Sequence, residues 1–181
     1  MTYGGGGRRV LVTGLPGVGK TTFATAYAAG RGLPHLEVDR LYYGPGWSVR
    51  ASFHDDLERA LAEECWCADD VGYEASRDLT WDRADTLVWL DLPWWIAEQR
   101  AVRRTLRRLR RSEVVYPGCK ESWLGWGRPA HPVRYAWSRH GAVRRLMEQR
   151  LADPRWQHLD VVRLRTRAEV AGWLARRVQP S

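Results

Sequence analysis

Short apolar runs, several closed by an acid or a proline, alternate along this chain with longer segments whose apolar positions recur at helical spacing. Arg9-Val10-Leu11-Val12-Thr13 reads as a buried parallel strand, and from Lys20 to Ala29 the positions Phe23, Ala24, Tyr27 and Ala28 mark a helix that ends at Gly30-Arg31-Gly32. Pro34 to Asp39 reads as a second strand with an acid at its carboxyl end. A Tyr-, Gly- and Trp-rich segment, Leu41 to Val49, leads to Ser52-Phe53-His54-Asp55, a capping-box-like start for a helix to about Glu64 with Phe53, Leu57, Ala60 and Leu61 on one side. Cys65-Trp66-Cys67-Ala68 is a third strand closed by Asp69-Asp70, and a loop follows through Gly72, Tyr73, Glu74 and Arg77.

Thr86 to Leu92 is the clearest buried strand, stopped by Pro93. From Trp94 to about Arg111 a long helix is expected, then an aperiodic, mobile loop from Ser112 to Ala130 with Pro117, Gly118, Gly125, Gly127 and Pro129. Pro132 opens a helix to about Leu151, His158 to Leu164 forms a last strand, and Thr166-Arg167-Ala168-Glu169 is a capping box for a final helix to about Val178. Strand and helix alternate from end to end without internal repeats. That order predicts an α/β fold of three layers, a five-stranded parallel sheet covered by helices on both faces.

The stretch that gives this pattern a chemistry is Gly14-Leu15-Pro16-Gly17-Val18-Gly19-Lys20-Thr21, which satisfies G-x-x-x-x-G-K-[ST] and lies between the first strand and the first helix. In such a loop glycines let backbone N–H groups approach a polyphosphate, and the helix N-terminus adds positive potential. Gly14, Pro16, Gly17, Val18, Gly19, Lys20, Thr21 and Thr22 are therefore the predicted nucleotide-binding residues. Lys20 is placed on the β- and γ-phosphates and the Thr21 hydroxyl on Mg²⁺. Asp39, at a strand's carboxyl end, stands where ligands gather in open α/β sheets.

Composition changes the picture at three points. With 181 residues, the chain is expected to fold as one domain, residues 1–181, behind a flexible lead-in over 1–7 that has no apolar signal core. The net charge of +8 comes almost wholly from arginine, since Lys20 and Lys120 are the only lysines; this fits a polyanionic ligand, small or polymeric, or reflects genomic base composition. The arginines concentrate on the helix after Pro93, as Arg100, Arg103, Arg104, Arg107, Arg108, Arg110 and Arg111 against the single acid Glu98, a density best explained by a bound anion. Cys65, Cys67 and Cys119 make neither a metal spacing nor a disulfide framework and fit a reduced, cytoplasmic protein; no stretch approaches a membrane span. Eleven tryptophans either line a cleft in part or fill the interior.

Together the loop 14–21, Asp39, Asp69, the strand ending Trp89-Leu90-Asp91-Leu92-Pro93 and the arginine-rich helix resemble the adenylate kinase-like branch of P-loop kinases. Within it, His35-Leu36-Glu37-Val38-Asp39-Arg40-Leu41-Tyr42-Tyr43-Gly44-Pro45-Gly46-Trp47 is similar, with one extra residue, to a run in the bacterial topology modulation (FlaR-like) group. Arg83-Ala84-Asp85-Thr86, Gly118-Cys119-x-Glu121 and Leu164 to Val170 match that group in kind. Where it has Asp-Gly-Asn-Tyr after the third strand, this chain has Asp69-Asp70-Val71-Gly72-Tyr73.

The resemblance implies ATP and Mg²⁺ as cofactors, with Lys20 on the ATP phosphates, Thr21 on Mg²⁺ and Asp69 as the acid that holds Mg²⁺ through water. It implies that Asp39 faces the acceptor as general base or ligand, with Tyr42, Trp47 and Arg77 on the acceptor side. It places Arg100, Arg104 and Arg107 among the catalytic charges of a lid spanning 100–130, and Arg165 beside the adenine. The expected activity is transfer of the γ-phosphoryl of Mg·ATP to a small hydroxyl-bearing acceptor, by a monomer or homodimer. An ATP-switched nucleic-acid-binding or regulatory protein is the second reading, supported by the arginine and aromatic content.

Overall fold

The computed structural model describes residues 7–70, 72–100, 103, 114–116, 119–120 and 132–178. Its centre is a five-stranded, all-parallel sheet in the order β2-β5-β1-β6-β9, formed by β1 (Arg9–Gly14), β2 (His35–Glu37), β5 (Trp66–Asp69), β6 (Thr86–Leu90) and β9 (Asp160–Leu164). β1 lies in the middle of the sheet, so the loop leaving its carboxyl end opens at the middle of the sheet's edge. Two short antiparallel hairpins stand apart from it: β3 (Tyr43–Gly44) with β4 (Ser48–Val49), and β7 (Val114–Tyr116) with β8 (Cys119–Lys120).

Alternation along the central strands divides the core into two faces. On one, Val10, Val12, Cys67, Val88 and Leu90 pack against Phe23, Ala24, Tyr27 and Ala28 of α1 (Lys20–Arg31) and Trp173 of α7 (Arg167–Arg177). Ile96 and Ala97 of α5, helical over 94–100, join the same cluster. On the other face Leu11, Ala68 and Leu87 meet Phe53, Leu57 and Leu61 of α3 (Phe53–Leu61), Trp81 of α4 (Glu74–Arg83) and Trp156. The long helix α6 (Pro132–Leu151) contributes Val143 to the first cluster and Met147 and Leu151 to the second. No helix among the described residues is long and apolar enough to cross a membrane.

The sheet and most of the helices follow the sequence pattern, with five corrections. β2 ends at Glu37, and Val38–Tyr42 is a short helix, α2, so Asp39 sits in a helical first turn rather than at a strand end. The reason is the sheet edge: β2 pairs only with β5, its last pair is Glu37 with Asp69, and beyond that β5 offers no partner. The segment 72–77 is not a loop throughout, because α4 begins at Glu74. The inner face of α4 carries buried Ser76 and Thr80 beside Trp81 and Ala84, hydroxyls that blur the apolar stripe.

Ser52 precedes α3 but makes no side-chain cap; its hydroxyl donates instead to Asp56 at 2.8 Å. α3 also stops short of Glu64, at Leu61. The stretch 112–130 is not wholly aperiodic either, since it holds β7 and β8. Arg104, Arg107, Arg108, Arg110, Arg111, Glu121 and residues 1–6 lie outside the described residues, as does most of the expected lid.

The predicted cap of α7 does form. Thr166 Oγ1 accepts from the Glu169 backbone N–H at 3.1 Å, while the Glu169 carboxylate accepts from the Arg165 N–H at 2.7 Å, one residue earlier than the usual box.

Candidate active site

β1 delivers the chain into the glycine loop, and α1 receives it. Gly14 has φ 148° and Gly19 φ 103°, and Gly19 serves as the N-cap of α1 without a side-chain cap, which leaves first-turn N–H groups of α1 for a ligand. At Gly14 space requires the glycine as well, whereas at Gly19 a side chain would displace only the tip of Arg100. A Cβ on Gly14 would stand 2.7 Å from the Leu90 carbonyl oxygen, and one on Gly19 2.6 Å from Arg100 Nη1. Val18 is buried and anchors the loop to the core, Pro16 and Gly17 are half-buried on its outer turn, and Thr22 is exposed in the first turn of α1.

Lys20 is buried, and its Nζ donates to the carbonyls of Gly14 at 3.0 Å and Leu15 at 3.3 Å, which holds the ammonium across the mouth of the loop. The Thr21 hydroxyl donates to Asp69 Oδ2 at 2.5 Å. β1 and β5 are neighbours with Val12 in register with Asp69, so the end of β5 is brought to the start of α1. A hydroxyl and a carboxylate in contact form the hard oxygen donor set that Mg²⁺ prefers, and the glycine cradle with its helix N-terminus fits a polyphosphate. These residues therefore fit Mg²⁺ and a nucleoside triphosphate.

The second oxygen of Asp69 is also engaged. His35 Nε2 lies 3.3 Å from Asp69 Oδ1, and the ring's Nδ1 lies 3.3 Å from the Thr25 hydroxyl of α1. Next in sequence, Asp70 is buried and accepts from the Gly72 N–H at 2.8 Å, Ser76 Oγ at 3.1 Å and Thr80 Oγ1 at 3.4 Å. Burial pushes the Asp70 carboxyl up; its hydrogen bonds and Lys20 pull the other way, while Asp39 adds to the rise. Asp39, Asp70 and Lys20 are thus electrostatic neighbours. Asp70 organises the turn that leads into α4, and Tyr73 is the N-cap residue of that helix.

Tyr73 reaches Asp39. Its hydroxyl donates to Asp39 Oδ1 at 2.8 Å, and burial, then the Asp39 charge, push the phenol well above its usual range. Tyr42 stacks on the Tyr73 ring at 3.8 Å between centroids and 4° between planes, and meets Phe53 edge-on at 5.0 Å. Tyr43 touches Tyr42 and Trp47 edge-on, both at 5.1 Å. Trp47 is 37% exposed and has φ 65°, following Gly46 at φ 66° in the tight turn of the β3–β4 hairpin. Left-handed backbone at a bulky residue is a strained choice, and strain of this kind concentrates where a loop must present a side chain.

Arg100, on α5, donates from Nη1 to the Val18 carbonyl at 2.7 Å, which sets a guanidinium against the glycine loop. Burial against that loop, and then the Arg167 charge, hold its pKa below the ordinary value. Arg77 lies one turn into α4, its backbone N–H donating to Tyr73 O at 2.9 Å. Its Nε is shut away from solvent without a hydrogen-bond partner among the described residues. Arg165 is exposed at the carboxyl end of β9.

Lys20, Thr21, Asp69 and Arg100 thus converge on one loop, while Asp39 bonds Tyr73 in an aromatic cluster that runs through Tyr42 and Tyr43 to Trp47. Sequence reasoning did not single out Tyr73 as Asp39's partner, Asp70 as the buried organiser, or His35 beside Asp69.

No protein-family model matches the chain, and no curated protein matches it. Among solved structures it is similar to a shikimate kinase from Bacteroides thetaiotaomicron, at 15% identity with a TM-score of 0.52 over 94% of this chain and 96% of that one. It is also similar to a gluconokinase from Sinorhizobium meliloti 1021, at 18% identity and a TM-score of 0.47 over 93% of this chain and 92% of that one. A putative kinase from Chloroflexus aurantiacus stands at 15% identity and a TM-score of 0.48, over 95% of this chain and the full length of the other. The likeness to the shikimate kinase, which spans nearly all of both chains, shows that the two share this α/β fold of a five-stranded parallel sheet flanked by helices.

Proposed function

We propose that the protein is an ATP-dependent small-molecule kinase, which moves the γ-phosphoryl of Mg·ATP to a hydroxyl of a small acceptor held beside Asp39. The observation that carries this reading is the contact of Thr21 Oγ1 with Asp69 Oδ2 beneath a loop that also holds Lys20. A cradle, a lysine and a metal-side acid brought together by β1 and β5 are the parts phosphoryl transfer needs, because such catalysis is mostly positioning and charge stabilisation. The finer kinship with the topology modulation group rests on the run from His35 to Trp47 and belongs to the same proposal.

In this reading the loop N–H groups and the α1 N-terminus hold the polyphosphate, Lys20 holds its outer phosphates, and Thr21 and Asp69 hold Mg²⁺. Bound Mg²⁺ would neutralise charge on the β- and γ-oxygens. Asp39, its Oδ1 accepting from Tyr73, takes the proton of the acceptor hydroxyl as that oxygen bonds to the γ-phosphorus and the bond to the β,γ-bridging oxygen breaks. Arg100 stands ready to balance charge on the transferred group. The aromatic cluster of Tyr42, Tyr43, Tyr73 and Trp47 supplies an apolar wall for the acceptor.

The test is a mass-resolved transfer assay, with Mg·ATP and pooled nucleosides, nucleotides, sugars and other hydroxyl metabolites, run beside Lys20→Ala. One pool member is expected to gain the mass of a phosphoryl group with wild type and not with the variant. Pool members unchanged with wild type, at any enzyme concentration, would refute the proposal.

A further inference from the structure

We infer that His35 is a positioning residue for the metal-side carboxylate, fixing the orientation of Asp69 through its second oxygen. The inference rests on the kinase reading of Asp69. A carboxylate held only by the Thr21 hydroxyl is free to rotate about its Cβ–Cγ bond, whereas one held at both oxygens keeps a single plane. Asp69 is held at both: Oδ2 accepts from Thr21, and Oδ1 lies 3.3 Å from His35 Nε2.

The imidazole is itself located from two sides. Its Nδ1 faces Thr25 Oγ1 at 3.3 Å, and Thr25 stands one helical turn after Thr21 on α1. If the Thr25 hydroxyl donates to Nδ1, the remaining ring proton lies on Nε2 and points at the carboxylate, so the helix that supplies the metal's hydroxyl also sets the tautomer that orients the metal's acid. Both contacts are long for hydrogen bonds, and the ring's direction is accordingly the joint product of the pair. Burial adds to the effect, because the side chains of His35 and Asp69 are only 20% and 7% exposed. β2 starts at His35, in register with Cys67 two residues before Asp69, which places the backbone of the edge strand where the ring can span to α1. Partners of this kind, hydrogen-bonded to a metal-binding group from behind, commonly change metal affinity by about 10–100-fold when removed.

The experiment is a Mn²⁺ titration of the folded protein with ADP, read by electron paramagnetic resonance, on wild type, His35→Leu, His35→Gln, His35→Asn and Asp69→Asn. Loss of the donor in His35→Leu is expected to weaken Mn²⁺ about tenfold while metal-free ADP affinity holds. Glutamine places an amide N–H near the position of Nε2 and is expected to restore the affinity. Asparagine reaches only the Nδ1 position and is expected to resemble leucine, so the Gln and Asn pair decides the matter even if the leucine variant does not fold. Wild-type Mn²⁺ affinity in His35→Leu, or equal losses in Gln and Asn, would overturn the inference. The Asp69→Asn arm separates the two levels: unchanged Mn²⁺ affinity there removes the metal role of Asp69 itself, whereas loss there with none in His35→Leu removes only the role given to His35.

Discussion

Two residues far apart in sequence, Asp39 and Tyr73, make the contact on which acceptor chemistry depends in this account. The Tyr73 hydroxyl bonds a carboxylate, and hydrogen bonds to charged groups contribute about 1.5–3 kcal/mol. Tyr73→Phe keeps the ring that stacks on Tyr42 and removes the hydroxyl's bonds to Asp39 and Tyr43. The variant is expected to fold normally, bind ATP as wild type does, and lose about tenfold or more in kcat/KM for the acceptor. Steady-state kinetics with the identified acceptor, beside an ATP-binding titration, check this; a loss confined to ATP affinity would contradict the role. At this scale the glycine loop, Lys20 and Thr21 were legible because one local motif names them, and Asp69 because it closes the third strand. Asp39 was legible as a residue of interest, but its helical setting was not, since the end of β2 is decided by how far β5 extends. His35 and Tyr73 act through partners 34 residues away in each case, and no local period records such a contact.

Among the elements, α4 shows how a helix can hide from a periodicity argument. Its inward positions Ser76 and Thr80 bond the Asp70 carboxylate rather than an apolar core, and its outer face carries Asp78 and Asp82. Those acids tie α4 to the C-terminal half of the chain. Asp78 pairs with Arg150 of α6 and, at 3.3 Å, with Arg155, while Asp82 meets Arg155 at 2.6 Å. Arg150 also lies over the Trp81 and Trp156 rings at 4.5 and 4.7 Å.

The Arg150 hydrogen bond and then the neighbouring guanidinium charges hold the Asp78 carboxyl below its ordinary value of 3.8. A depressed carboxylate contributes stability above its unfolded value and loses it as pH falls through the folded value, so the window lies below about pH 4. Because Asp78 is 56% exposed, solvent screening keeps the contribution under about 1 kcal/mol. Asp78→Asn is expected to flatten the acid limb of the stability curve and leave ATP binding intact. Chemical denaturation between about pH 3 and 7, at low and high salt, checks both the slope and its screening.

For the whole molecule, the parallel sheet was legible from alternation alone. The strand order was not, because β5 and β6 flank β1 by pairings that skip over intervening helices. That order is what makes a site: it sets Asp69 beside the glycine loop on one side and, through the β6 end and α5, Arg100 on the other. Under the proposed function the donor binds at the glycine loop in the middle of the sheet edge and the acceptor on the β2 side, and the chemistry links the two.

The most direct test of that link follows ATP, ADP, inorganic phosphate and phosphoester together by ³¹P NMR in one sample with Mg²⁺ and the acceptor pool. ADP and a new phosphoester are expected to rise one for one while inorganic phosphate stays flat, and Lys20→Ala is expected to leave ATP untouched. ADP rising with inorganic phosphate alone, or turnover that persists in Lys20→Ala, would contradict that link.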